Sequence, residues 1–140
     1  MNAALRLCGV EAELPRLMEF AEKFAGRCGL PGSERARLLI ILEELFTNAL
    51  HYGYPHGAAQ AQIKVALTAQ PGRIEIDFSD DGRPFDPLAQ SSPQLDQAPA
   101  GRPEGGLGLH ILRSLVDEAS YRRTGGRNHL TLIRNLLGSG

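Results

Sequence analysis

Long apolar runs are missing from this chain of 140 residues. No stretch is long enough to cross a bilayer, and the opening MNAALRLCGVEAEL lacks the apolar region of a secretory leader. These absences predict a cytoplasmic protein with no membrane contact. Cysteine is scarce. Cys8 and Cys28 lie in apolar neighbourhoods outside any CxxC or Cys/His cluster, so they read as reduced core thiols, not as a disulfide framework or a zinc site. Charge of one sign is missing as well. A formal net charge of -1 and the absence of a basic run leave no electrostatic argument for nucleic acid or for an anionic membrane. No HExxH or paired histidine spacing occurs, so His110 and His129 read as surface or half-buried residues and not as metal ligands. No internal repeat is visible.

What is present is an ordinary apolar fraction of 42% with 22% charged residues, enough for one domain in which about 70% of the unfolded chain's surface can be buried. Leu5, Leu7 and Gly9 alternate with Arg6 and Cys8, which predicts a first strand over 3–10. Leu14, Leu17, Met18, Phe20, Ala21 and Phe24 follow at helical spacing over 12–28, with Pro15 in the first turn and Gly29 at the end. A second helix is predicted over about 34–51, with Ser33 as N-cap and Leu38, Leu42, Leu45 and Ala49 forming its apolar stripe. Ile63, Val65 and Leu67, then Ile74, Ile76 and Phe78, alternate on either side of Pro71-Gly72 and predict an antiparallel hairpin. Residues 83–105 hold most of the prolines, and a structureless loop of that length inside a domain is usually functional or disordered. A helical pattern from Leu107 to about Asp117 comes next, then two strands, 118–124 and 129–136, around Thr124-Gly125-Gly126-Arg127. The order predicts an α+β fold: a two-layer α/β sandwich with a mixed, mainly antiparallel sheet and helices on one face.

Three segments carry chemistry. In EELFTNALHYG, Glu44, Asn48 and His51 stand at i, i+4 and i+7 and share one helix face, away from the apolar stripe. Asn48 offers a neutral oxygen of the kind Mg²⁺ accepts beside waters and phosphates. Glu44 could take a proton from a hydroxyl or water. Glu43 is the alternative base, although it lies about 100° round the helix from Glu44. At the end of IEIDFSDDG, Asp80 could accept a hydrogen bond from an exocyclic amine, while Gly82 allows close approach of backbone to a ring. In GGLGL, the backbone N–H groups of Gly106, Leu107, Gly108 and Leu109 open a helix, where the dipole favours an anion such as a phosphate. The segment is not GxxxxGK[ST], which excludes a Walker-type loop.

In this order the three segments resemble the Bergerat-type ATP-binding domains of the GHKL class, which includes gyrase, MutL and histidine kinases. The likeness is closest to the anti-sigma regulatory factors, the serine/threonine kinases of bacterial partner switching. EELFTNALHYGYP is similar to their N box, FSDDGRPFDP to their adenine box, and EGGLGLHILRSLVDEASYRR to their glycine box and the helix after it. The resemblance implies ATP and Mg²⁺ as cofactors. Asn48 would be the Mg²⁺ ligand, Glu44 the catalytic base and Asp80 the partner of the adenine amino group, with Gly82 giving the ring room. The Gly106–Leu109 backbone would hold phosphates, residues 86–105 would form a lid, and His51 would line the pocket. Arg102 is the choice for the terminal phosphate. The implied partners are an anti-anti-sigma (STAS-type) protein, which receives the phosphoryl group, and a sigma factor or similar regulator held in sequestration, with the chain itself a homodimer. Pro84 departs from the glycine that the wider class often has there. With no phospho-accepting helical hairpin and no transducer domain in 1–140, a single stand-alone domain is expected. A nucleotide-dependent binding module without phosphoryl transfer is the alternative.

Overall fold

Period-two alternation becomes strand wherever the sequence shows it. In the computed structural model, which describes residues 1–54, 60–89 and 112–136, the elements are β1 (Asn2–Cys8), α1 (Leu14–Arg27), α2 (Gly32–Gly53), β2 (Gln62–Gln70), β3 (Arg73–Asp80), β4 (Glu118–Thr124) and β5 (Arg127–Asn135). Short 3-10 turns at Glu11–Glu13 and Pro87–Ala89 and helical residues 112–115 complete the order. The five strands form one sheet in the order β1-β2-β3-β5-β4. Every pairing between the described strands is antiparallel. Among the described residues no helix is long and apolar enough to cross a membrane.

Both helices pack on one face of this sheet. Leu17, Ala21 and Phe24 of α1 and Leu38, Ile41, Leu42, Leu45 and Phe46 of α2 meet the inward side chains of the strands, among them Val65, Leu67, Ile76 and Leu132. Alternation is clearest in β3, where Ile74, Ile76, Phe78 and Asp80 are buried and the residues between them half-exposed. The inward row therefore ends on a carboxylate, which is where the site begins.

The structure corrects four details of the sequence reading. Cys8 is exposed on β1 and is not a core thiol, because its side chain alternates with the buried Leu7. Ser33 does not cap α2. The helix already starts at Gly32 with Pro31 as N-cap, and no side-chain cap bond forms. Pro31 has the extended backbone of a cap residue and accepts the Arg35 N–H at 2.9 Å through its carbonyl. The helix before β4 stops at residue 115, short of Asp117. Asp117 instead starts the final hairpin, its N–H on the Ile133 carbonyl and its carboxylate taking the Asn135 N–H at 2.6 Å. β5 begins at Arg127 and not at 129, because Gly125 and Gly126, at φ of 61° and 74°, close a two-residue turn that pairs Thr124 with Arg127.

Candidate nucleotide site

Burying a carboxylate at the end of a core-facing strand is costly unless donors meet it. Asp80 is 7% exposed. Its Oδ1 accepts the Gly82 N–H and the Asn128 Nδ2–H, each at 2.9 Å. Register places Asn128 directly opposite Asp80 on β5. Asn128 is itself buried, and every polar atom of its side chain is used: Nδ2 also donates to the Arg83 carbonyl at 2.8 Å, while Oδ1 accepts from the Tyr121 hydroxyl at 2.5 Å and from the Phe85 N–H at 3.2 Å. Burial raises the Asp80 pKa above the usual carboxylate range, and the bonds from Asn128 and Gly82 oppose that rise. Asp80 Oδ2 receives no hydrogen bond from the described residues.

From the helix side, Asn48 reaches the same space. It is 5% exposed, and its Nδ2 donates to the Glu44 carbonyl at 2.7 Å, one turn back. A carbonyl can only accept, so this bond fixes which end of the amide is nitrogen and leaves Oδ1 turned away from the helix backbone. No described residue donates to that oxygen. Asn48, Asp80 and Asn128 line one cavity of about 30 Å³ with Phe78, Phe85 and Tyr121 among its walls. Phe85 forms one wall and stacks on Tyr52 of α2 with ring centroids 4.8 Å apart. Glu44 is half-buried one turn before Asn48, and its pKa is raised by burial first and by the neighbouring Glu43 charge second.

The ends of α2 and β3 are fastened together below this cavity. Gly82 approaches so closely that a Cβ there would sit 2.6 Å from the Gly53 carbonyl oxygen, and the Arg83 N–H donates to that same oxygen at 2.8 Å. The space that glycine frees in this structure is thus for the helix end. The Tyr54 hydroxyl donates to Asp81 Oδ1 at 2.6 Å, and that oxygen also takes the Gln62 N–H at 2.9 Å. Burial and the bond to Asp81 push the Tyr54 pKa well above the ordinary phenol value.

Of the residues singled out from the sequence, the structure brings Asn48 and Asp80 to one cavity and sets Gly82 beside it. Glu44 keeps its place on the stripe but is not among the cavity's lining residues. His51 is exposed, packs edge-on against Tyr52 at 4.9 Å and also lies off the lining. Arg102, Gly106, Leu107, Gly108 and Leu109 lie outside the described residues, as does most of 86–105. The first part of that segment is packed: Leu88 N–H donates to Asp86 Oδ1 at 2.8 Å, and Arg113 donates to the Leu88 carbonyl. Sequence reasoning missed Asn128, Tyr121 and Phe85. For Asn128 a signal existed, since it is a polar residue in phase with Leu130 and Leu132 on the inward face of β5.

Comparison with known proteins agrees with this architecture. Residues 10–134 match the model of the histidine kinase-like ATPase domain. The serine/threonine-protein kinase BtrW of Bordetella bronchiseptica is 30% identical over 98 residues, covering 70% of this chain and 68% of that protein. The serine-protein kinase RsbW of Staphylococcus epidermidis is 33% identical over 91 residues, covering 62% of this chain but only 57% of its own length. The crystal structure of the RsbU and RsbW domains of Rv1364c from Mycobacterium tuberculosis superposes with a TM-score of 0.69 at 18% identity, over 97% of this chain and 32% of that one, and so supports the fold alone.

Proposed function

Because the chain belongs to the histidine kinase-like ATPase domain family, we propose that it binds ATP with Mg²⁺ and acts as an anti-sigma-type serine/threonine kinase. In this reading it phosphorylates an anti-anti-sigma (STAS-type) partner and sequesters a sigma factor or similar regulator. The observation that carries the reading is the cavity shared by Asn48 and Asp80, two buried residues whose Oδ1 and Oδ2 respectively receive no hydrogen bond from a described residue. The similarity to BtrW and RsbW, both named as kinases of serine or of serine and threonine, supports the transfer activity.

Asp80 Oδ2 would accept the adenine amino group, with Asn128 and Gly82 holding Oδ1 still. Asn48 Oδ1 fits Mg²⁺, which takes one or two protein oxygens and completes its shell with phosphates and water. Among the described residues no group of three His, Cys, Asp or Glu side chains could hold a metal alone, so a phosphate-completed shell is the arrangement this site could support. The ion would supply charge neutralisation on the phosphates. Glu44 would receive the proton of the attacking Ser or Thr hydroxyl as its oxygen bonds the γ-phosphorus and the bridging bond to ADP breaks. A carboxylate held above its ordinary pKa is better matched to that task near neutral pH.

Titration of ATP into the native chain and into Asn48→Ala, with and without Mg²⁺, tests the reading. Expected is a Mg²⁺-dependent affinity that Asn48→Ala abolishes; an unchanged titration removes Asn48 from the site. Transfer from labelled ATP to a candidate partner, lost in Glu44→Ala, separates the kinase from a binding module in which ATP only sets partner affinity. Gel filtration at high concentration tests the homodimer, and a monomer there counts against it.

A further inference from the structure

The second face of the sheet turns away from both helices, and the strand register sorts its charges into rows. Arg6 stands opposite Lys64, Lys64 opposite Ser79, Ser79 opposite His129, and His129 opposite Arg122. One row thus crosses all five strands and carries a basic side chain on four of them, at steps of about 4.8 Å. Arg6, Lys64 and Arg122 are exposed and form no ion pair with a described residue. At the β1–β2 end the row borders a cavity of about 580 Å³ to which Arg16 and Arg127 also contribute. Arg127 spends one guanidinium nitrogen on neutral acceptors, the Gln62 carbonyl and Ser79 Oγ. Glu13 is the one carboxylate in that lining, and it is already engaged by Arg16 at 3.1 Å and by the Cys8 N–H at 2.9 Å. Four Arg and Lys side chains against one Glu leave an excess of three positive charges there, in a chain whose formal net charge is -1. Asp77 and Glu75 of the same face lie further along β3, and on the other side of the row Asp81 takes the Gln62 N–H at 2.9 Å and offsets part of the Arg127 charge.

From this arrangement we infer that the row is a docking surface for an acidic segment of a protein partner, laid across the strands with its carboxylates on Arg6, Lys64 and Arg122. A single phosphate needs donors that converge on a point. Here the donors stand one per strand on parallel stems, and several spaced carboxylates match them better. The row spans about 19 Å, which an extended segment of about six residues covers. The site is independent of the nucleotide cavity: Ser79 and Asp80 are successive residues of β3 and point to opposite faces.

The test uses the full chain and a fluorescent peptide of about eight residues alternating Glu and Ala, with a Gln/Ala peptide as control and tripolyphosphate as competitor. The Glu/Ala peptide should bind, the Gln/Ala peptide should not, and raising salt from about 20 to about 200 mM should weaken binding about tenfold. Arg6→Glu with Lys64→Glu should weaken it about tenfold or more while ATP affinity stays unchanged. Lys64→Gln alone, which leaves folding untouched if the double variant does not, should give a smaller loss in the same direction. Equal binding of the two peptides, indifference to the charge reversals, or displacement by tripolyphosphate at matched charge would overturn the proposal. So would sedimentation showing that the native chain self-associates through this row, with the reversals dissolving the assembly and no peptide bound.

Discussion

The two halves of α2 treat charge in opposite ways. In the first half Glu34 is held by two hydrogen bonds from Arg134, Nε to Oε1 and Nη2 to Oε2, both at 3.1 Å, with Arg37 Nη1 on Oε2 at 3.0 Å. Arg134 also donates to the Leu115 carbonyl at 3.0 Å, so every group in the cluster has a partner. The Arg134 hydrogen bond holds the Glu34 pKa below the usual carboxylate value. In the second half Glu44 forms no ion pair with a described residue, and burial moves its pKa the other way. Asn48 keeps an oxygen with no described donor. Polar groups that a fold needs for itself end up paired. Polar groups that meet no partner within the fold stay available to a ligand.

If that contrast is sound, substitutions in the two halves should separate activity from stability. The largest effect is expected for Glu44→Gln, with partner phosphorylation falling about 10²–10⁴-fold in single-turnover assays. Its melting temperature should not fall. A carboxyl with a raised folded pKa stabilises the fold below its unfolded pKa and loses that contribution as pH rises through the folded value, so a neutral isostere removes a cost at neutral pH. For the same reason the native rate should drop on acidification, at a pH above the ordinary Glu value. A strongly lowered melting point in Glu44→Gln would break the comparison. Leu42→Ala, in the fully buried stripe of the same helix, should behave inversely. It should lose about 2–5 kcal/mol in denaturant unfolding, while the folded fraction keeps its ATP affinity. At the junction of α2 and β3, Gly82→Ala forces a Cβ to within 2.6 Å of the Gly53 oxygen. Moving that backbone should cost about 1–3 kcal/mol and weaken ATP binding too, because Gly82 N–H is one of the two donors on Asp80.

Much of this was legible before the structure. Strand alternation gave the inward faces, and the 3.6-residue spacing of Leu38, Leu42, Leu45 and Ala49 gave how α2 sits. By that spacing Asn48 faces away from the stripe, and its burial at 5% exposure was not foreseen. Asp80 was readable as a strand-end carboxylate, but its burial was not, because burial depends on which strand lies opposite. Asn128 is 48 residues away from Asp80 and meets it only through the non-sequential β3–β5 pairing. The same holds for Phe85 on Tyr52 and for the Gly82–Gly53 contact, which no local pattern encodes. Ser33 shows the converse limit. A residue of the right type was present, but Pro31, two residues earlier, already supplied the extended backbone of the cap. The glycine segment from 105 onward was identified from the sequence and lies outside the described residues, so its part in the site rests on the family resemblance and on the proposed ATP titrations.

The smallest expected effect sharpens the comparison from the side of the paired half. Glu34→Gln removes the charge from a two-bond arginine pair whose side chains are 13% and 18% exposed. It should cost about 1–2 kcal/mol in unfolding at neutral pH and leave phosphorylation unchanged. The pH dependence distinguishes this pair from Glu44. With its folded pKa depressed, Glu34 contributes stability that is present above the unfolded carboxylate pKa and is lost as pH falls through the folded value. The difference between native and Glu34→Gln should therefore be constant near neutrality and close as the pH is taken below about 4. A difference that instead grew on acidification would mean that the carboxylate is not held ionised by Arg134, and the two halves of α2 would then no longer differ in kind.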